Sequence, residues 1–278
     1  MIKKPLVQPV VKWVGGKRQL LPNLIPLFPE GISSYCEPFF GGGAVLFNLQ
    51  PDQAHINDIN EDLMNMYTVI RDNVEELIAL LSQYRNEVDF FYAIRDWDRD
   101  KEHYDKLDNI FKASRLIYLN KTCYNGLFRV NNAGEFNTPY GYYKNPNIVN
   151  APVLRAVHEY LNSAKVTITS VDYSEILSSV TPSTFVYLDP PYDPVSDTAS
   201  FTGYSKTGFN RDEQIRLREQ CDELDRKGVK FVLSNSATPF IFELYSKYKI
   251  SRVQAKRIVN SVASKRGDIE EVIIRNYE

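Results

Sequence analysis

The chain has 278 residues, 43% of them hydrophobic, which is enough for one large core or two smaller ones. A charged fraction of 24% excludes wholesale disorder, no apolar run approaches the ~18 residues of a membrane span, and none follows the basic start Met1-Ile2-Lys3-Lys4 as a signal peptide requires. Three distant cysteines, Cys36, Cys123 and Cys221, make no CxxC pair and no disulfide framework, which fits a reducing cytoplasm, and the net charge of −2 speaks at first against nucleic acid, whose binders are usually basic.

In chain order, the basic turn Lys12-Trp13-Val14-Gly15-Gly16-Lys17-Arg18 comes first, with a Trp that can stack and a Lys17 that can pair with a carboxylate. A short strand is expected at 34–37. It runs into Glu37-Pro38-Phe39-Phe40-Gly41-Gly42-Gly43, whose glycines permit positive φ and close backbone approach, and a helix over 43–49. The spacing is not GxGxxG, so a dinucleotide site is not indicated. A second strand at 54–57 ends in Asn57-Asp58. An acid there is placed to accept ribose hydroxyls, or to cap the helix expected over 61–71. A helix over 75–84 follows, and from about Asn73 to Ser163 the strand–helix alternation fails. That stretch is helical at first, then rich in Asn, Gly and Tyr from Asn120 to Asn150, and it reads as an inserted domain. Strands at 166–169, 184–188 and 229–233, helices over 212–227 and 240–245, and a last strand at 270–275 complete an α/β pattern with a parallel sheet between helices.

The near-neutral charge is a cancellation. Residues 52–108 hold 15 acids and 6 bases (−9), residues 112–160 hold 6 bases and 2 acids (+4), and residues 247–266 hold 7 bases and no acid (+7). Two basic segments with Tyr and Asn interleaved are candidates to meet phosphate.

The sharpest signal is Phe185-Val186-Tyr187-Leu188-Asp189-Pro190-Pro191-Tyr192. A hydrophobic strand runs into an acid, two prolines that stiffen the turn and remove N–H donors, and an aromatic ring. The Asp189 carboxylate and Pro190 carbonyl make a pair of acceptors beside the face of Tyr192. An exocyclic amine on a planar base needs this: two acceptors on its hydrogens aim its lone pair at a methyl donor, and proximity and electrostatic orientation supply most of the acceleration. No thiol nucleophile is needed. An adenine amine lies inside the duplex, so the base has to be flipped out and stacked, here on Tyr192.

These three motifs, in the order glycine turn, insert, Asp-Pro-Pro-Tyr, resemble the Dam-type, alpha-group adenine-N6 DNA methyltransferases over nearly the whole chain. The resemblance implies a Rossmann-like methyltransferase core with a seven-stranded mixed sheet, formed by residues 1–72 and 164–278, and a mainly helical DNA-recognition domain, 73–163, carrying a β-hairpin. It implies S-adenosylmethionine as methyl donor, S-adenosylhomocysteine as product, double-stranded DNA as substrate with GATC as its site, and no metal. Carried over by motif, Asp189, Pro190, Pro191 and Tyr192 are the catalytic positions. Trp13, Lys17, Glu37, Phe39, Gly41, Gly43, Asp58 and Asp189 are the cofactor positions, joined by Asp172, which also reads as a helix N-cap.

For DNA, the resemblance marks Lys12 as a guanine contact, Arg129 as a bidentate guanine reader, Tyr124 as a wedge, and Asn125 and Lys144 as phosphate contacts. Leu127, Asn137, Pro139 and Tyr143 belong to the same surface. Tyr204 stands in a loop after the catalytic turn where the family closes over the flipped base. Lys265 and Arg266 stand in a loop placed to grip the backbone near the target. Tyr142 departs from the family, whose members often carry Arg or Lys there. A cytosine-N4 or RNA-adenine methyltransferase, and a DNA-binding protein with a vestigial methyl site, are the competing readings. A cognate restriction endonuclease is a candidate partner, monomeric action and cytoplasmic, nucleoid-associated localisation are expected, and no membrane association is.

Overall fold

The computed structural model describes residues 3–195, 208–256 and 268–278. Tyr204, Lys265 and Arg266, with the two loops that carry them, lie outside the described residues. The chain divides into two compact units, residues 1–16, 41–52 and 58–170 in one and residues 17–40, 53–57 and 171–278 in the other.

Strands β1 Ser34–Glu37, β2 Gln53–Asn57, β3 Lys165–Thr169, β4 Thr184–Leu188, β5 Phe231–Ser236, β6 Lys249–Lys256 and β7 Asp268–Arg275 form one mixed sheet in the order β3-β2-β1-β4-β5-β7-β6. The helices, in chain order, are α1 Leu21–Leu24, α2 Ala44–Leu49, α3 Glu61–Asp72, α4 Val74–Leu81, α5 Val88–Arg95, α6 Lys101–Lys106, α7 Asn109–Thr122, α8 Ala151–Ser163, α9 Tyr173–Ser179, α10 Arg211–Arg226 and α11 Pro239–Leu244.

In the second unit β1 pairs in parallel with β2 and β4, and β4 in parallel with β5. The carboxyl ends of β1, β4 and β5 therefore share one edge of the sheet, where α/β sheets bind ligands. β7 runs antiparallel between β5 and β6 and sets Glu271 opposite Ser236 at that same edge. Phe185 to Leu188 are all buried, so β4 reads as a continuous apolar run rather than an alternation. The core joins Cys36, Val186, Leu188, Phe231, Leu233 and Val272 of the sheet to Tyr173, Leu177, Leu217, Leu224 and Tyr245 of the flanking helices. Helix α10 starts where Asn210 accepts a hydrogen bond from the Glu213 N–H, with Asp212 and Glu213 in its first turn, and stops before Gly228 at φ 73°.

The expected strand at 229–233 is shifted to 231–236. Ser234, Asn235 and Ser236 are polar yet fully or almost fully buried, because side-chain partners satisfy them. Strand β6 was hidden by its basic composition, which suits a sheet edge.

In the first unit α3 packs on α7 and α8, and α4 on the same two helices, around Leu63, Met66, Tyr67, Leu77, Leu116, Tyr118, Leu154 and Val157. Helix α7 is capped by Asp108, which accepts from the Ile110 N–H. After α7 the chain makes a single turn at Tyr124–Gly126 and then an irregular antiparallel pairing with Val130 opposite Phe136, closed by Asn137 N–H to Arg129 carbonyl (2.9 Å) and Asn131 N–H to Glu135 carbonyl (2.8 Å). No helix among the described residues is long and apolar enough to cross a membrane.

Candidate active site

The Asp189–Tyr192 turn leaves the carboxyl end of β4 within the second unit. Lys17, only 6% exposed, brings its Nζ to 2.8 Å from Asp189 Oδ1 and lies over the Tyr192 ring at 4.7 Å from its centroid. The Tyr192 hydroxyl donates to Glu271 Oε2 at 2.8 Å. Burial, then the neighbouring charges of Asp189 and Glu271, push the phenol well above its ordinary pKa, so Tyr192 is a neutral ring surface and not a base. The Gln214 amide donates to the Pro191 carbonyl at 2.7 Å, whereas no donor among the described residues reaches the Pro190 carbonyl.

Behind the turn lies a buried polar set. Asn235 Oδ1 accepts from the Asp193 N–H (3.1 Å), and its amide donates to Gln214 Oε1 (3.1 Å). The Asp193 carboxylate accepts from Thr238 Oγ1 (2.7 Å) and Arg211 Nε (3.1 Å), and the Asp193 carbonyl accepts from Ser236 Oγ (2.6 Å). Asp193, Gln214, Asn235, Ser236, Thr238 and Glu271 join the turn only in the fold, from positions that carry no motif in the sequence. The available signal was the polar Ser-Asn-Ser continuation of an apolar strand, followed by the Thr-Pro helix start.

In the first unit, Gly41 and Gly43 of the glycine turn take φ 52° and 71°. A Cβ on Gly41 would stand 3.0 Å from Trp13 Cδ1, and one on Gly42 would stand 3.2 Å from Trp13 Cβ. The turn is therefore glycine because the indole packs directly on its backbone. Asp58 Oδ2 accepts from the Gly41 N–H (2.8 Å) and Oδ1 from the Asn60 N–H (3.0 Å). Burial raises the pKa of Asp58, with those two N–H groups opposing the shift. The cap of α3 is Asn60, which accepts from the Leu63 N–H, and not Asp58 as the alternative reading had it. Asp58 closes the loop before the cap and holds the glycine turn.

Three further cofactor candidates sit in the second unit. Glu37 is 2% exposed and accepts from the Tyr35 hydroxyl at 2.8 Å. Phe39 packs on Tyr173 and Phe209 at centroid distances of 5.1 and 5.7 Å. Asp172 caps α9 by accepting from the Ser174 N–H and also pairs with Arg216 at 2.6 Å. The Arg216 hydrogen bonds lower the pKa of Asp172 to about 2, so it is a carboxylate at every working pH. Burial pushes the Cys36 and Cys123 thiols up to about 12 and raises Cys221 as well, so none of them is a ready nucleophile.

The DNA-contact candidates that the structure describes all belong to the first unit. Asn120, buried, accepts from the Lys12 N–H (2.9 Å) and donates to the Lys12 and Gly126 carbonyls (2.8 and 3.0 Å). It thereby fixes Lys12 beside the turn that displays Tyr124, 58% exposed, and Asn125 at φ 57°. Arg129 is exposed and donates to Asn137 Oδ1 at 2.7 Å. The Leu127 carbonyl accepts from Thr138 Oγ1 (2.6 Å), and the Pro139 carbonyl from the Tyr124 N–H (2.8 Å). The Tyr143 carbonyl accepts from Asn86, and Lys144 is exposed beside it. Tyr142 is 75% exposed at φ 53°.

The basic run is less basic than the linear count implied. Lys247 pairs with Asp222 and Asp225, Lys249 with Glu278, and Arg252 with Glu270. Of the cations in the insert, Arg115 is buried against Asp98 and Arg155 pairs with Glu75.

Residues 13–259 match the model of the D12 class N6 adenine-specific DNA methyltransferases. The chain is similar to a type II methyltransferase of Lactococcus lactis subsp. cremoris, 42% identical over 98% of this chain and 96% of that protein. It is also similar to a type II methyltransferase of Methanocaldococcus jannaschii, 43% identical over 98% of this chain and 99% of that one. The DNA adenine methylase of Escherichia coli is 30% identical over 95% of this chain and 93% of its own. With the acid, two prolines and tyrosine held at the end of β4, these matches make the chain a member of the D12 class of N6 adenine-specific DNA methyltransferases.

Proposed function

We propose that the protein transfers a methyl group from S-adenosylmethionine to the N6 amine of an adenine flipped out of double-stranded DNA, within GATC. The observation that carries the reading is the turn itself. The Pro190 carbonyl is free of donors among the described residues, Gln214 engages its Pro191 neighbour, and Lys17 holds the Asp189 carboxylate. Asp189 and the Pro190 carbonyl accept the two amine hydrogens, which draws the nitrogen towards a tetrahedral geometry and aims its lone pair. Tyr192, fixed by Glu271, is the face on which the base stacks.

The residues present fit the donor. Its amine and ribose hydroxyls call for acceptors, a chemistry that Glu37 and Asp172 have in the second unit and Asp58 has in the first. Its planar base calls for apolar surface such as Phe39, and its approach to backbone calls for the glycines at 41 and 43 under Trp13. Bound, it supplies an electrophilic sulfonium methyl and leaves as S-adenosylhomocysteine. Residues 73–163 are the recognition segment in this reading, with Lys12, Tyr124, Asn125, Leu127, Arg129, Asn137, Pro139, Tyr143 and Lys144 meeting the duplex. The type II names of its relatives make a cognate restriction endonuclease a candidate partner.

The test is tritiated methyl transfer into duplexes with and without GATC, with the modified base identified after nuclease digestion. N6-methyladenine confined to GATC supports the reading. N4-methylcytosine, or transfer to RNA alone, replaces the substrate, and no transfer to any nucleic acid overturns it. Asp189→Ala should abolish turnover and retain DNA binding. Removing one partner of a largely buried pair leaves Lys17 uncompensated and costs about 3–5 kcal/mol. Asp189→Asn, of the same shape and still an acceptor through its amide oxygen, is therefore assayed beside it as the folding control, and normal kcat in a folded Asp189→Ala would sink the mechanism.

A further inference from the structure

The recognition hairpin has two faces. Arg129 and Asn137, opposite one another and hydrogen-bonded, occupy the outer one. Their chain neighbours Phe128 and Phe136 occupy the inner one, where the two rings pack edge to face at 5.7 Å. Phe128 also stacks on Trp13, at 4.9 Å between centroids and 26° between planes. Trp13 in turn lies on the backbone of Gly41 and Gly42, closely enough that a Cβ on either would crowd it. The far side of that turn is held by the Tyr67 hydroxyl on the Gly42 carbonyl (3.1 Å) and by Asp58 on the Gly41 N–H (2.8 Å). The hairpin end is held as firmly. Asp98, paired with Arg115 at 2.6 Å, accepts from the Phe136 N–H (2.7 Å), and Arg99 donates to the Phe136 carbonyl (2.7 Å). Rings in contact between two pinned backbones cannot shift independently, because interiors at this density transmit displacement.

We infer that Phe128 is a positioning residue that links the base-reading hairpin to the glycine turn of the cofactor site. Engagement of Arg129 by the correct base steadies Phe128, Phe128 steadies Trp13, and Trp13 holds the Gly41–Gly42 backbone in its cofactor-binding form. The inference rests on the proposed methyl transfer and names its regulation: cofactor affinity rises when the cognate site is read. By linkage, the cofactor raises affinity for the cognate site by the same factor. A stacked aromatic is what the task requires, since a flat ring passes on a small displacement that flexible aliphatic chains would absorb.

The experiment is calorimetric titration of S-adenosylhomocysteine into the full chain alone, with a duplex carrying the methylated site, and with a duplex in which the guanine of that site is replaced. For the unaltered protein, cofactor affinity should rise about tenfold on the cognate duplex only, within the usual range of coupling between two sites. In Phe128→Leu, which keeps apolar volume but not the stack, the rise should fall to less than about twofold, with affinity for the cofactor alone nearly unchanged. Phe128→Tyr should restore it. The inference is overturned if the unaltered protein methylates DNA without any difference between duplexes, if Phe128→Leu keeps the full rise, or if Phe128→Leu loses affinity equally in all three titrations, which would make Phe128 a structural support for Trp13. Failure of the methyl-transfer reading itself looks different: no cofactor binds and no DNA is methylated in the unaltered protein.

Discussion

Gln214 occupies a position where the loss of a single donor reaches the chemistry. Its amide engages the Pro191 carbonyl and its oxygen accepts from Asn235, which also takes the Asp193 N–H, so one side chain ties α10 to β5 and to both ends of the Pro191–Asp193 segment. Gln214→Met keeps the volume and leaves the Pro191 carbonyl and the Asn235 amide without partners, at about 1–3 kcal/mol for each group. The expected outcome is a lower melting temperature and a kcat reduced roughly tenfold to a hundredfold, because the Pro190 acceptor is no longer held in line. KM for the cofactor should be nearly unchanged, since Gln214 touches none of the groups proposed to bind it. Steady-state kinetics at saturating DNA check this split, and a raised cofactor KM at normal kcat would make Gln214 a binding residue instead. Such a residue is invisible in the sequence. A buried glutamine on a charged, amphipathic helix carries no spacing signal, whereas Asp189-Pro190-Pro191-Tyr192 carries its chemistry in its own order. The motif therefore carries the proposed acceptors and ring in the sequence itself, and only the folded chain adds what holds them.

The hairpin is an element with little ladder of its own, so its shape depends on what it packs against. A short antiparallel pairing is marginal in water. Here the Asp98–Arg115 pair, the Thr138 hydroxyl and the Trp13–Phe128–Phe136 contacts supply the missing support. Arg129 is already tethered by Asn137, so in its proposed role as a base reader it has little side-chain entropy left to lose. Arg129→Ala should cost about 1–3 kcal/mol on the cognate duplex and relax discrimination at one guanine position. Competition binding against duplexes changed one position at a time reads this out. Equal loss on every duplex would turn Arg129 into a phosphate contact. How legible each element was depends on what buries it. β4 is legible to its full bounds because a strand buried on both faces is a continuous apolar run, and β1 because the Pro38 and glycine turn directly after Glu37 marks its end. β5 is legible only to Leu233, because Ser234, Asn235 and Ser236 look like a loop until their partners are known, and β6 is hard to see because Lys249, Arg252 and Lys256 break up its apolar residues without a strict period of two. The stretch from Asn120 to Asn150 looked irregular and is irregular, but Asn120 itself, buried and triply bonded between Lys12 and Gly126, looked like one more loop residue.

Over the whole molecule, linear charge and available charge are different quantities, and ionic strength separates them. By sequence the insert and the C-terminal run total +11 (+4 and +7), as if the chain could release many counterions on DNA. In the fold, Lys247, Lys249, Arg252, Arg155 and Arg115 each face an acid at 3.1 Å or less, and Lys121 donates to the Val10 carbonyl. Lys12 and Arg129 are candidates for base edges. Lys112 donates to the Asp105 carbonyl, and the side chains of Lys256 and Arg257 lie outside the described residues. Among the contacts proposed above, Lys144, Lys265 and Arg266 are the cations assigned to phosphate. Three such contacts give a slope of log K against log salt of about −2.7, so affinity should fall roughly 40-fold between 50 and 200 mM. Had all 11 charges been free, the slope would approach about −10 and the loss would be on the order of a millionfold. Fluorescence anisotropy on a cognate duplex over that range decides between them. Lys144→Ala should then flatten the slope by about one without changing which sequence is preferred. A slope near −10 would mean that the ion pairs on β6 open to release their cations to DNA, and would make that strand part of the interface. A slope near −3 leaves those pairs as the means by which a chain of net charge −2 keeps a basic edge strand out of non-specific contact and leaves binding to a few cations around the site it reads.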